Sequence, residues 1–220
     1  MKRKFIFIPG WILNGFITLL IPTIDFFVKR RLNPNHLTTV GLILSLPTAY
    51  LFATGFLRTG GFLMLIGGVF DIIDGKVARA TNRITKFGAL YDSTLDRYSE
   101  LMILFGLAYY FVTSGWRIGE FNFSLITAVV VSMAIGGSVM TSYVRARSEG
   151  LGLKCKVGMM QRPDRVVWIG FGALFHEYAL VAAIIIVAVF SNITALQRLY
   201  TVWKSENIKK EESASEDDVY

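Results

Sequence analysis

Four aspartates stand in two pairs within otherwise apolar sequence: Asp71 and Asp74, and then Asp92 and Asp96. Residues three or four apart share one face of a helix, so each pair sets two carboxylates side by side. An aspartate at membrane depth costs roughly 2.5–3.5 kcal/mol on insertion scales, and four without compensation cost on the order of 10 kcal/mol. Arg79 and Arg97 are near in sequence but leave the group anionic. Hard divalent cations take oxygen ligands, and Mg2+ binds through a few carboxylates together with substrate phosphates. The chemistry open to such a cluster is metal-assisted transfer at a phosphate. Asp71, Asp74, Asp92 and Asp96 are the expected ligands of Mg2+, with Mn2+ as the alternative. Gly75 and Ala78 fall on the same helical face as Asp71 and Asp74 and leave space for a ligand against the backbone. Arg79 follows one turn after Gly75, placed for a phosphate oxygen. Gly88 opens the next helix and can do similar work.

A second set of residues lies further along. Arg145 closes one apolar stretch, Arg162 and Arg165 open the next, and Arg198 ends the last. The planar guanidinium fork matches phosphate oxygens. These four arginines are expected to form a basic pocket for an acceptor that carries its own phosphate. The competing reading is ordinary contact with lipid phosphates or the positive-inside bias.

Both sets need elements to hold them. Of 220 residues, 53% are hydrophobic and only 18% charged, with mean hydropathy +0.50. A soluble domain would carry about a quarter charged. A spanning helix needs about 20 mainly apolar residues, which predicts an all-α integral membrane protein with six transmembrane helices. They are placed at about 37–57, 61–80, 88–112, 121–144, 164–176 and 178–200. Ahead of them, residues 10–31 alternate apolar and polar positions and end in Lys29-Arg30-Arg31. That pattern predicts an N-terminal amphipathic helix on an anionic membrane surface, kinked or broken at Pro22; a full span is the alternative. Asn35 or Thr38 is the expected cap of the first span. The organisation is then residues 1–36 as the N-terminal segment, 37–203 as the catalytic membrane domain, and 204–220 as a disordered polar tail. There is no repeat and no second soluble domain.

The charge pattern sets the orientation. Residues 205–220 hold six acids and two bases, leaving 21 bases against 10 acids elsewhere. Six bases precede residue 37, four lie in 76–86, six in 145–165 and four from Arg198 onward, while the other side receives only Arg58 and Arg117. Both termini and the site are therefore expected on the cytoplasmic face of the cell membrane. The surplus is assigned to membrane lipids and phosphate substrates, and no nucleic-acid partner is expected. The single cysteine, Cys155, excludes an intrachain disulfide. No cleavable signal peptide is expected, because Phe5 to Ile8 is too short an apolar core and Pro9-Gly10 interrupts it.

Asp71-Ile-Ile-Asp74-Gly75-Lys76-Val77-Ala78-Arg79, eight residues, Gly88, three residues, Asp92, three residues and Asp96 resembles the complete signature of the CDP-alcohol phosphotransferases. The resemblance covers about residues 1–203. It implies that Asp71, Asp74 and Asp92 hold the metal with Asp96 close by, and that Asp96 is the catalytic base on the acceptor hydroxyl. It further implies that Asp71, Gly75, Ala78, Arg79 and Gly88 bind a CDP-linked lipid such as CDP-diacylglycerol, with CMP as the leaving group. Spacing alone does not distinguish Asp92 from Asp96 as the base. The stretch from Ser142 and Tyr143 through Ala146, Arg147, Glu149, Gly152 and Leu153, then Gly158, Arg162 and Arg165, then Gln197-Arg198, is similar to the branch that uses inositol phosphate. Arg145 stands where that branch more often has lysine, and Ser148 where alanine is more usual. Glycerol 3-phosphate is the alternative acceptor. The resemblance also implies a homodimer, for which Gly136-Gly137 offers a close-packing surface. The reading of another class is an ion-coupled transporter, since intramembrane acids also mark ion paths; acids gathered at one end of two spans, without paired halves, argue against it.

Overall fold

The computed structural model describes residues 10–30, 33–153, 155 and 157–217. The first nine residues of the expected N-terminal segment, Arg31, and the last three residues of the expected tail lie outside that range. Among the described residues there are seven helices: α1 Gly10–Lys29, α2 Pro34–Ala53, α3 Leu57–Ala80, α4 Lys86–Thr113, α5 Ser124–Gly150, α6 Arg162–Phe175 and α7 Glu177–Asp217. A two-residue hairpin, β1 Arg117–Ile118 with antiparallel β2 Phe121–Asn122, joins α4 to α5.

Local chemistry sets the helix starts. Asn33, not Asn35 or Thr38, caps α2: its side chain accepts from the Asn35 N–H at 3.1 Å, and Pro34 opens the first turn. Proline is pre-organised for that position and has no N–H to satisfy. Thr38 is thereby moved into the helix. Thr85 caps α4, accepting from the Gly88 N–H at 2.9 Å. At α6, the Asp164 carboxylate accepts from the Gln161 N–H at 2.9 Å. Of the kink or break expected at Pro22, the break does not occur: α1 continues through it, giving up one intrahelical hydrogen bond.

α2 to α7 form a closed ring. α2 packs on α3, α3 on α6, α6 on α7, α7 on α5, α5 on α4, and α4 returns to α2. Small residues permit the close crossings. A Cβ on Gly61 of α3 would stand 2.7 Å from the Gly170 carbonyl oxygen of α6, and one on Gly106 of α4 would press into the Ala49 backbone of α2. Gly137 of α5 faces the Asn192 backbone nitrogen of α7, 2.9 Å from where its Cβ would be. Gly137 is thus used inside the chain, whereas Gly136 faces open space. The main core, including Phe52, Leu104, Phe111, Val131, Ile169 and Ile184, fills the ring. A second cluster joins Ile24 of α1 to Leu37, Ile73 and Val77, so α1 lies across the carboxylate-bearing end of α3.

The outside is apolar, with Phe105, Val129, Ile185 and Leu196 all exposed. Contiguous apolar surface of this kind marks a membrane or protein contact. Among the described residues, three helices are long and apolar enough to cross a membrane: α2, α5 and α7 over Glu177–Asn207. α6, at 14 residues, spans only about 21 Å at 1.5 Å per residue. α3 and α4 carry the aspartates and arginines that lower their hydropathy. Only His176 separates α6 from α7, and the Tyr110 hydroxyl donates to Glu177 at 2.7 Å, tying that turn to α4. The polar residues 205–217, expected as a disordered extension, continue α7. A helix already nucleated by a packed segment propagates cheaply through Glu, Lys and Ala.

Candidate active site

α3 and α4 each make their close approach to α2, and the carboxylates converge across a gap between the two helices. Arg162, the first residue of α6, fills the gap. Its Nη1 donates to the Asp71 carboxylate and forms an ion pair with Asp96 Oδ1 at 2.7 Å. Arg97 stands at 4.0 Å from Asp96 and turns its Nη1 to the Ser93 carbonyl one helical turn back. Asp74 is 4% exposed and accepts the Thr38 hydroxyl at 2.7 Å. It lies within Coulombic range of Asp71 and Asp92, and Asp96 lies within range of the same two. All four predicted aspartates therefore belong to one electrostatic cluster.

The cluster is not a closed metal cage. Among the described residues, no three His, Cys, Asp or Glu side chains stand in an arrangement that holds an ion as they are, and the Arg162 guanidinium lies between Asp71 and Asp96. The donor set nevertheless fits a hard divalent cation. It offers carboxylate oxygens only, its negative charge exceeds what Arg162 and the distant Arg97 supply, and it already draws a cation into its centre. Gly41 of α2 leaves room for Asp71: a Cβ there would be 3.3 Å from Asp71 Oδ1. A small cavity of about 30 Å³ lies beside Asp71, Glu100 and Arg162, lined also by Gly41, Gly67, Gly68 and Ile169.

The small residues of the expected nucleotide strip have local reasons as well. A Cβ on Gly75 would stand 3.5 Å from the Arg79 guanidinium, so Arg79 folds back over it while remaining exposed. Ala78 is half-buried on the same turn. Gly88 lies where a Cβ would come within 2.9 Å of the Thr85 capping hydroxyl and 3.4 Å of Asn35 Oδ1. A side chain there would press on the cap as the two residues are now placed, whatever the glycine also does for a ligand.

The four predicted acceptor arginines are neighbours, but each already has a protein partner. Arg165 is 2% exposed and grips Glu100 with two bonds, Nε at 2.5 Å and Nη2 at 2.9 Å. Arg198 donates to the Thr141 carbonyl at 2.6 Å and the Val157 carbonyl at 2.8 Å, pinning the 151–161 connection to α5 and α7. Cys155 is buried under it, its thiol 3.8 Å from the Arg198 carbonyl. Arg145 is exposed and pairs with Glu149 at 2.9 Å. Arg198 lies within Coulombic range of Arg145 and Arg165. Two residues of this site escaped the sequence reading. Glu100 sits one turn after Asp96, on the same face as Asp92 and Asp96, and that spacing was a usable signal. Thr38 had none, because its bond to Asp74 joins positions 36 apart.

A helical ring with a lipid-facing exterior and a carboxylate cluster at one end is the architecture of an enzyme that moves phosphate-linked groups at a membrane. Residues 31–203 match the CDP-alcohol phosphatidyltransferase family, and the chain belongs to it; the protein is a transferase. It is 36% identical to the archaetidylinositol phosphate synthase of Methanothermobacter thermautotrophicus, over 87% of this chain and 94% of that one. It is 32% identical to the phosphatidylinositol phosphate synthase of Mycobacteroides abscessus, over 85% and 84% of the two chains. Among solved structures it is similar to Mycobacterium tuberculosis phosphatidylinositol phosphate synthase with CDP-DAG bound, with TM-score 0.72, 30% identity and coverage of 83% and 92%. The same enzyme in complex with manganese and citrate aligns with TM-score 0.73 over 83% and 88%.

Proposed function

We propose that the chain transfers the phosphatidyl group, or its ether-lipid counterpart, from a CDP-linked lipid such as CDP-diacylglycerol to inositol phosphate, forming phosphatidylinositol phosphate or its analogue and releasing CMP. The observation that carries this reading is the convergence of Asp71, Asp74, Asp92 and Asp96 in one electrostatic cluster, with the Arg162 guanidinium between Asp71 and Asp96, in a chain whose relatives are inositol phosphate-lipid synthases. These four aspartates would hold a divalent cation, Mg2+ or Mn2+, which supplies charge neutralisation for the pyrophosphate.

The chain's own residues do the rest. Arg79, exposed beside Gly75, pairs with the donor's pyrophosphate. Gly75 and Ala78 leave the α3 backbone open to the nucleotide, and Gly88 does so on α4. Asp96, which faces the gap, takes the proton of the attacking hydroxyl. That oxygen forms its bond to the lipid-bearing phosphorus as the bond to CMP breaks. Arg162 and Arg165 line the cavity, and Arg198 and Arg145 extend the basic region beyond it. Arg162 and Arg145 contact the acceptor's phosphate, while Arg165 and Arg198 hold the surrounding backbone and helices in place. Positioning and charge neutralisation dominate chemistry of this type.

In this reading α2 to α7 are all membrane spans, with α1 flat on the cytoplasmic surface and both termini on that side. α3, α4 and α6 tolerate their charges because these face the site rather than lipid. The chain acts as a homodimer through exposed apolar helix faces.

The test is an acceptor panel with purified protein, Mg2+ and either CDP-diacylglycerol or its ether-linked analogue. CMP release is expected with inositol phosphate and is expected to cease on chelation. Release with free inositol but not inositol phosphate would overturn the acceptor, and release preferring glycerol 3-phosphate would reassign it.

A further inference from the structure

We infer that Arg162 is a built-in counter-cation that competes with the divalent metal for Asp71 and Asp96, so that metal entry displaces it and assembles the acceptor site. This rests on the metal and acceptor roles given above to the aspartates and Arg162.

Three observations support it. First, one guanidinium nitrogen bonds both carboxylates, which occupies oxygens a metal would need. The described aspartates do not form a metal cage while it is there. Second, Arg162 is held in that position by the carboxylates and not by its surroundings. Its Nε is buried without a hydrogen-bond partner, a condition that disfavours the conformation. Its backbone lies at the positive end of α6, where the helix dipole disfavours a cation. Arg198 is the contrast, with its guanidinium fixed on two backbone carbonyls. Third, Arg162 is the first residue of α6, directly after the 151–161 connection, and its side chain is 19% exposed, so it is not sealed in the core.

Opposite signs of one exchange follow. With metal absent, Arg162 offsets part of the cluster's charge and its guanidinium is withheld from the acceptor's phosphate. With metal bound, the guanidinium is released toward the cavity. Metal and acceptor then bind with positive coupling, which must be reciprocal.

The experiment measures Mn2+ affinity by the electron paramagnetic resonance signal of free Mn2+, on the full chain in nanodiscs. Arg162→Gln is expected to bind Mn2+ at least tenfold more tightly than wild type, and to be less heat-stable than wild type only when chelator is present. Arg162→Lys, which keeps the cation, is expected to stay within about threefold of wild type. Inositol phosphate binding to wild type is expected to weaken at least tenfold without Mn2+. Equal or weaker Mn2+ binding by Arg162→Gln would overturn the competition, and metal-independent inositol phosphate binding would overturn the coupling. Asp74→Asn separates this from the underlying reading: if it binds Mn2+ as wild type does, the metal site itself is misassigned.

Discussion

Glu100→Gln tests whether the arginine clamp behind the site stabilises the fold. Glu100 and Arg165 join α4 to α6, helices that are not neighbours in the ring. Arg165 is 2% exposed, and its Nη1 already lacks a partner. Glutamine keeps the shape and one acceptor but removes the charge, leaving a buried guanidinium uncompensated. Breaking a buried pair in this way costs about 3–5 kcal/mol. At about 2–4 °C per kcal/mol for a chain of this size, the melting temperature should fall by about 6–20 °C. The assay is thermal unfolding of detergent-solubilised protein followed by tryptophan fluorescence. The double variant Glu100→Leu/Arg165→Met should recover most of the loss, because it removes both charges together. A Glu100→Gln protein melting within about 2 °C of wild type would refute the reasoning, and so would a double variant no more stable than the single one.

Three further outcomes are expected. Asp96→Asn should lower CMP release by about 10²–10⁴-fold, the range for losing a general base, while Mn2+ binding through the other three aspartates persists. Thr38→Val removes the hydroxyl that donates to Asp74 at 2.7 Å, and metal affinity should drop about 10–100-fold, read by Mn2+ titration. Gly88→Ala forces a Cβ to within 2.9 Å of the Thr85 hydroxyl and should cost about 1 kcal/mol by loss of the α4 cap, measured by thermal unfolding.

Much of the architecture was legible because membrane helices are specified by local composition. Each expected span has a helix at its place, even the short one that begins near Asp164, since twenty apolar residues or a capped apolar run have few other ways to satisfy their backbone groups. Residues 205–217 are polar, a composition that points to disorder, yet α7 runs on to Asp217. Composition says whether a segment can fold alone, not whether a neighbour will nucleate it. The cap of α2 was misplaced by two residues because Pro34 makes Asn33 the better start.

The aspartates show where sequence stops. Their types and spacing determined, without any structure, that four carboxylates would gather at one end of two helices and that phosphate chemistry would follow. Intrahelical spacing is set by the 3.6-residue turn and needs no partner. What stands between those carboxylates is a matter of tertiary structure. α3 and α4 each pack on α2, the gap between them admits α6, and Arg162, 91 positions from Asp71, becomes the cation that the cluster holds. The same holds for Glu100 with Arg165 and for Gly137 against α7. Contacts between distant positions depend on how the ring closes, and the period of a single helix carries no information about that.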